Sequence, residues 1–147
     1  MVRVLCVFAA ASALAMAAEK KVKLENLPPA VQASVKEQTK NATLVGLSTE
    51  TEKGKTTYEV ETKVNGKGRD VLLDKTGAVL EVEEEVELDS IPAAAKAAIQ
   101  KRVAGGTITK VEKLTAGATV SYEAAVKTKA GKNIEVGVNA DGTPHKE

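Results

Sequence analysis

The chain is poor in the residue types that carry most enzyme and cofactor chemistry. Its 147 residues include one cysteine, one phenylalanine, one histidine, two tyrosines and no tryptophan. Cys6, Phe8 and both methionines, Met1 and Met16, fall within the first 17 residues. That segment reads as a removable signal, so the working protein has no Cys, Met, Trp or Phe, and its only aromatics are Tyr58 and Tyr122. These absences exclude a disulfide, a thiol nucleophile, and a Cys-ligated zinc or iron–sulfur centre. They also exclude an aromatic platform for stacking bases. Charge of one sign is lacking too. Removing residues 1–17 takes away Arg3 and no acid, leaving 20 basic and 20 acidic residues. A balanced chain has no electrostatic footprint for nucleic acid.

Residues 1–17 have the form of a secretory signal peptide. Arg3 supplies the positive start, and Val4 to Ala15 is apolar except for Ser12. Ala15 and Ala17 stand at the −3 and −1 positions, which places cleavage before Ala18. The stretch is shorter than the roughly 20 apolar residues of a membrane-spanning helix. No second apolar span follows, so the expectation is a periplasmic or secreted protein with no membrane span after signal cleavage. Cys6 sits at the front of the apolar stretch and reads as an ordinary signal residue.

The chain resembles itself at an offset of 64 residues. Asn26-Leu27-Pro28 aligns with Ser90-Ile91-Pro92, Thr43 with Thr107, Tyr58-Glu59 with Tyr122-Glu123, and Lys63 with Lys127. One added residue then shifts the offset to 65, aligning Gly66 with Gly131, Val71 with Val136 and Gly77 with Gly142. Two copies of one supersecondary unit account for this order. Each copy opens with a helix carrying an apolar stripe: Leu27, Val31 and Val35 in the first, Ile91, Ala95, Ile99 and Val103 in the second. Asn26 and Ser90 are the expected N-caps, with Pro28, Pro29 and Pro92 in the first turns. The helices are expected to stop near Lys40-Asn41 and at Gly105-Gly106.

Strands follow each helix. Thr56 to Val64 and Val120 to Val126 alternate with period two, which marks half-buried strands. Tyr58 and Tyr122 fall on the apolar side of that alternation. Arg69 to Leu73 and Asn133 to Val138 are the next strands, and Leu80 to Leu88 continues the first copy. Leu44–Glu50 and Thr107–Leu114 are leading strands with less regular patterns. The predicted fold is therefore α+β: two tandem repeats, 18–86 and 87–147, each a helix packed on a three- to four-stranded antiparallel β-meander.

The order helix, strand, Tyr-Glu-Val strand, basic turn, Val-x-Leu-Asp strand and Asp-x-x-Gly turn resembles the PepSY-like, putative beta-lactamase-inhibitor-like family of bacterial secreted domains. Leu27-Pro28, Tyr58-Glu59-Val60, Val71-Leu72-Leu73-Asp74, Gly77 and Val79-Leu80-Glu81-Val82 carry the resemblance, with Ile91-Pro92, Tyr122-Glu123, Val136-Gly137-Val138, Asp141 and Gly142 in the second copy. It implies a non-enzymatic module that binds or restrains a protein or peptide partner. The chain departs from the two-unit inhibitory protein of that type in lacking cysteines and an aromatic-rich clasping surface.

The residues expected to hold a partner are those on the polar side of the strands: Glu59, Glu61, Lys63, Glu123, Lys127 and Glu135. An alternative use of charge is the run Glu81, Glu83, Glu85 and Glu87, which alternation puts on one strand face. It could collect cations or serve a passive structural role in the envelope. The run has no Asp-x-Asp-x-Asp-Gly loop, so no metal site is assigned. No catalytic residue is assigned either. His145 lies near the C-terminus, and Ser34, Ser48, Ser90 and Ser121 have no Gly-x-Ser-x-Gly setting. Gly66-Lys67-Gly68 lacks the ending of a phosphate loop. No cofactor is implied.

Overall fold

A computed structural model describes residues 19–145 apart from Lys53; the signal segment lies outside the described residues. The elements run β1 (Lys20–Lys21), α1 (Pro29–Gln38), β2 (Thr43–Glu52), β3 (Lys55–Val64), β4 (Lys67–Leu73), β5 (Val79–Glu85), α2 (Ala93–Val103), β6 (Thr107–Ala116), β7 (Thr119–Lys127) and β8 (Asn133–Asn139). Short 3₁₀ turns, Leu24–Asn26 and Leu88–Ser90, precede the two helices. The class is α+β, as the sequence implies. The strands form one eight-stranded antiparallel sheet in chain order, in place of two separate meanders. The join is β5–β6, where Val82 to Glu85 pair with Thr115 to Glu112.

Register decides which side chains share a face. Leu47, Val60, Val71, Val82, Thr115 and Val120 form one cross-strand row. Two residues along β6 in each step bring Lys113 and Val111 to the same side, and Val111 leads on to Ala124 and Val136. Both helices cover this side. Val31 and Val35 of α1, with Leu27, close over Val60, Val71 and Leu73. Ala95, Ile99 and Val103 of α2, with Ile91, close over Val111, Ala124, Val126, Val136 and Val138. Burying each Val, Leu or Ile contributes about 1.5–3 kcal/mol, so these two clusters dominate the fold's stability. Tyr58 and Tyr122 pack against the clusters, one each, so neither ring reaches the other face.

Several local features stand at matching places in the two halves. Thr43 pairs with Lys63 and Thr107 with Lys127, and bulges follow at Leu44/Gly46 and Ile108/Lys110. Lys20 opposes Thr49 where Glu84 opposes Lys113. The turn glycines lock against the helices. Gly77 and Gly142 have φ of +79° and +83°, and a Cβ there would lie 2.6 Å from Ala30 O or 2.7 Å from Ala94 O. Only glycine fits both the left-handed backbone and the close approach. Val138 bridges Pro144 where the other half pairs Leu73 with Val79, so the strand after β8 is reduced to one bridge among the described residues.

Several boundaries differ from the sequence reading. Asn26 and Ser90 sit in the 3₁₀ turns, and the helices start after Pro28 and Pro92 without a side-chain cap. A residue before proline is pushed to extended backbone, which holds Leu27 and Ile91 out of the helix and into the core. Strand β5 stops at Glu85 because the chain then bends to bring Leu88 and Ile91 under α2. Helix α1 ends at Gln38, and α2 ends at Val103 with Ala104, φ 48°, taking the left-handed cap ahead of the glycines. Strand β1, two residues long, had no alternation from which to be read.

Candidate partner-binding face

The face opposite the helices carries the other half of each strand's alternation. One row runs Gly46, Glu61, Asp70, Glu83, Leu114, Ser121 and Asn139. On one side of it lie Lys21, Ser48, Glu59, Leu72 and Glu81. On the other lie Glu85, Glu112, Glu123 and Gly137, then Lys110, Ala125 and Glu135, then Lys127 and Asn133. Carboxylates occupy the middle of the sheet, with Lys63, Lys110 and Lys127 toward one end of it. Among the described residues no helix packs on this face.

All six residues expected to hold a partner, Glu59, Glu61, Lys63, Glu123, Lys127 and Glu135, lie on it. Lys63 and Lys127 are exposed and the four glutamates half-buried. Glu81, Glu83 and Glu85 share the face, as alternation implies. Glu87 lies past the end of β5, with its carboxylate 2.7 Å from Lys67 Nζ.

Small residues make room for these carboxyls. A Cβ on Gly46 would sit 3.1 Å from the Glu61 carboxyl, and one on Gly68 would sit 3.5 Å from Glu85 Oε2. The Gly68 N–H donates to that oxygen at 3.1 Å. Ser48 Oγ donates to Glu59 Oε2 at 3.1 Å, and Thr62 N–H points to Asp70 Oδ1 at 3.4 Å. Glu112 is buried, and Lys110 Nζ lies 2.6 Å from its carboxylate. A buried carboxylate without such a partner is strongly unfavourable.

Burial sets the protonation of three groups. It pushes Glu83 up to about 8, helped by the charges of Glu112, Glu81, Asp70 and Glu59. It pushes Glu59 up to about 7, reinforced by Asp70 and opposed by the Ser48 hydrogen bond. It pushes Asp70 up to about 6, against the Thr62 N–H and the Lys110 charge. Leu72 and Leu114 lie on this face among the carboxyls and withhold water from them.

Asp70 and Glu112 escaped the sequence reading. The signal was available: Asp70 alternates with Val71, and Glu112 with Val111. Glu112 was obscured because the bulge at Ile108/Lys110 breaks the period of β6. Oxygens of Asp70, Glu83 and Glu112 lie within 4.8 Å of one another, as do those of Glu19, Glu59 and Glu61. Among the described residues these are the groups that could hold a cation. The ring of His145 meets the amide of Asn139, Nδ1 to Oδ1 at 3.1 Å, and not a carboxylate. Ser48 is engaged with Glu59.

The architecture has solved counterparts at low sequence identity. A protein assigned to the periplasm of Bacteroides eggerthii superposes with a TM-score of 0.66 at 17% identity, over 82% of this chain and 86% of that one. A DUF2874 family protein from Bacteroides uniformis gives 0.64 at 17% identity, over 81% and 86%. A BLIP-like protein from Bacteroides fragilis gives 0.58 at 18% identity, over 82% and 84%. The fold is thus that of DUF2874 and BLIP-like proteins. No family model matches the chain, and no curated protein matches it in sequence. No helix among the described residues is long and apolar enough to cross a membrane.

Proposed function

We propose that the chain is a periplasmic, non-enzymatic binding module of the PepSY-like, beta-lactamase-inhibitor-like kind, which holds a protein or peptide partner on its helix-free face. In this reading it consists of two tandem helix-on-sheet units, 18–86 and 87–147, joined edge to edge at β5–β6 after the signal is cleaved before Ala18. The observation that carries the reading is the common placement of Glu59, Glu61, Lys63, Glu123, Lys127 and Glu135 on one uncovered face. The periplasmic assignment of a structural neighbour supports the location.

Protein interfaces are commonly anchored by Trp, Tyr and Arg. Both tyrosines here are committed to the helix side. Recognition then rests on charge, which governs encounter and partner choice, and it weakens as salt rises. The test is capture from the periplasmic fraction of the source organism, followed by measurement with the purified partner. Replacing Glu59, Glu61, Glu123 and Lys127 by Ala abolishes saturable binding, whereas Lys101→Ala on α2 leaves it intact. Loss of binding in the Lys101 variant alone would contradict the reading.

A second reading, cation binding or a passive envelope role through the 81–87 region, is favoured by the convergence of Asp70, Glu83 and Glu112 oxygens. Millimolar Ca²⁺ then raises the melting temperature through linkage. An unchanged melting temperature removes the cation version.

A further inference from the structure

The outer strands of the sheet repeat, at its two edges, a pairing that its middle already makes. Strand β1 lies on β2 as the end of β5 lies on β6. Lys20 opposes Thr49 and Lys21 opposes Ser48, where Glu84 opposes Lys113 and Glu85 opposes Glu112. The next N–H follows suit: Val22 donates to Leu47 O at 3.0 Å, and Val86 to Val111 O at 2.9 Å. Strand β8 likewise stands where β4 stands. Val138 and Val136 oppose Tyr122 and Ala124 on β7, as Leu73 and Val71 oppose Tyr58 and Val60 on β3.

Strand β5 is the piece that both sides share. Its Glu84 has Arg69 of β4 on one side and Lys113 of β6 on the other. Each edge of the sheet holds half of that arrangement. Lys20 is opposed by Thr49 of β2, and Ile134, at the place of Arg69, by Val126 of β7. Past β8, Pro144 bridges Val138, and the His145 N–H donates to Gly137 O at 3.2 Å. Among the described residues no strand lies along the rest of the outer side of β8, and none lies outside β1. The Ile134 side chain at that open edge is 40% exposed.

We propose that the two edges complete each other between copies: β1 of one copy adds antiparallel to β8 of the next, in the register of β4 on β5, and carries the sheet on head to tail. The occupant is a second copy because β1 already holds the β5 register on its inner side. Copying the pairs Arg69–Glu84 and Asp70–Glu83 sets Lys20 opposite Ile134 and Glu19 opposite Glu135. The Lys20 stem then covers Ile134, as lysine methylenes cover apolar surface. Lys21 comes diagonally beside Glu135 on the helix-free face, within reach of its carboxylate. It offsets the approach of Glu19, the like-charge contact that Glu83 makes with Asp70 inside the chain. The two edges of one chain do not meet, since seven strand spacings, about 33 Å, separate them. A contact between two different surfaces does not close at a dimer, so it grows as an open series. The edges are short and bear lysine and proline, which keeps such addition weak and confines it to high protein concentration. The helix-free face stays uncovered throughout, so this inference and the partner reading can fail separately.

The test uses the mature protein, residues 18–147, which has no cysteine of its own. In the proposed register Lys20 and Ile134 form a non-hydrogen-bonded pair with Cα atoms about 4.5 Å apart, close enough for a disulfide. Lys20→Cys is mixed with Ile134→Cys under mild oxidation. The mixed dimer is expected in about fivefold or greater excess over either like dimer, and over the mixed dimer of Lys101→Cys with Ile134→Cys. Sedimentation of the unsubstituted protein at millimolar concentration is expected to show species larger than a dimer. A mixed dimer no more abundant than the Lys101 control would overturn the proposal. So would sedimentation as a monomer, or as a dimer that does not grow. The sedimentation decides the matter even where a cysteine variant does not fold.

Discussion

On one side of the sheet Val60, Val71 and Val82 lie abreast beneath α1; one residue along each strand, on the other side, Glu61, Asp70 and Glu83 lie abreast with no helix above them. The same hydrogen bonds hold both files in line. The apolar file favours this register by burying methyl groups, and the acidic file opposes it by bringing carboxyls together. The core wins because each buried valine contributes about 1.5–3 kcal/mol, against about 0.2–1 kcal/mol for a cross-strand pair. The contrast separates what holds the molecule together from what it presents to others.

The sharpest way to break the contrast is to attack the covered side. Leu73 and Ile99 are fully buried. Leu73→Ala or Ile99→Ala is expected to lose about 2–5 kcal/mol in denaturant unfolding. On the uncovered side the largest effect belongs to Lys110. Lys110→Met leaves the buried Glu112 without its closest cation, and a loss of about 1–3 kcal/mol is expected. Retention of stability in Lys110→Arg would assign the loss to charge and not to packing.

Gly77→Ala and Gly142→Ala strain the turns that touch the two helices. Each is expected to cost about 1–2 kcal/mol from the left-handed backbone alone. Equal losses would match the equal contacts to Ala30 and Ala94. The smallest effect on stability belongs to the exposed lysines. Lys63→Ala and Lys127→Ala are expected to stay within about 0.5 kcal/mol. On the proposed function they are expected to weaken partner binding all the same, so that stability and binding come apart on this face.

Much of this was legible from period and offset. Alternation alone put Tyr58 with Val60 and Glu59 with Glu61, so the covered and uncovered sides of β3 and β7 could be told apart without coordinates. The stripes Leu27–Val31–Val35 and Ile91–Ala95–Ile99–Val103 are the faces that α1, α2 and their leading turns bury. Other features depend on pairing, which no local pattern carries. The union of the strands into one sheet is set by Val82–Glu85 meeting β6. Likewise, Asp70 and Glu112 come beside Glu83 only through register across three strands, two of them bulged. Asn26 and Ser90 have the chemistry of caps, but the following Leu-Pro and Ile-Pro pairs hold the chain extended and move the helix start past them.

The most direct test of the division between faces is carboxyl footprinting: carbodiimide labelling of Asp and Glu in the free protein and in its complex with the captured partner. The account predicts that Glu59, Glu61, Glu123 and Glu135 lose reactivity on binding, while Glu25, Glu37, Asp89 and Asp141 do not change. Protection of Glu37, Asp89 or Asp141 with the sheet glutamates unchanged would contradict it, and would place the partner on the helices instead.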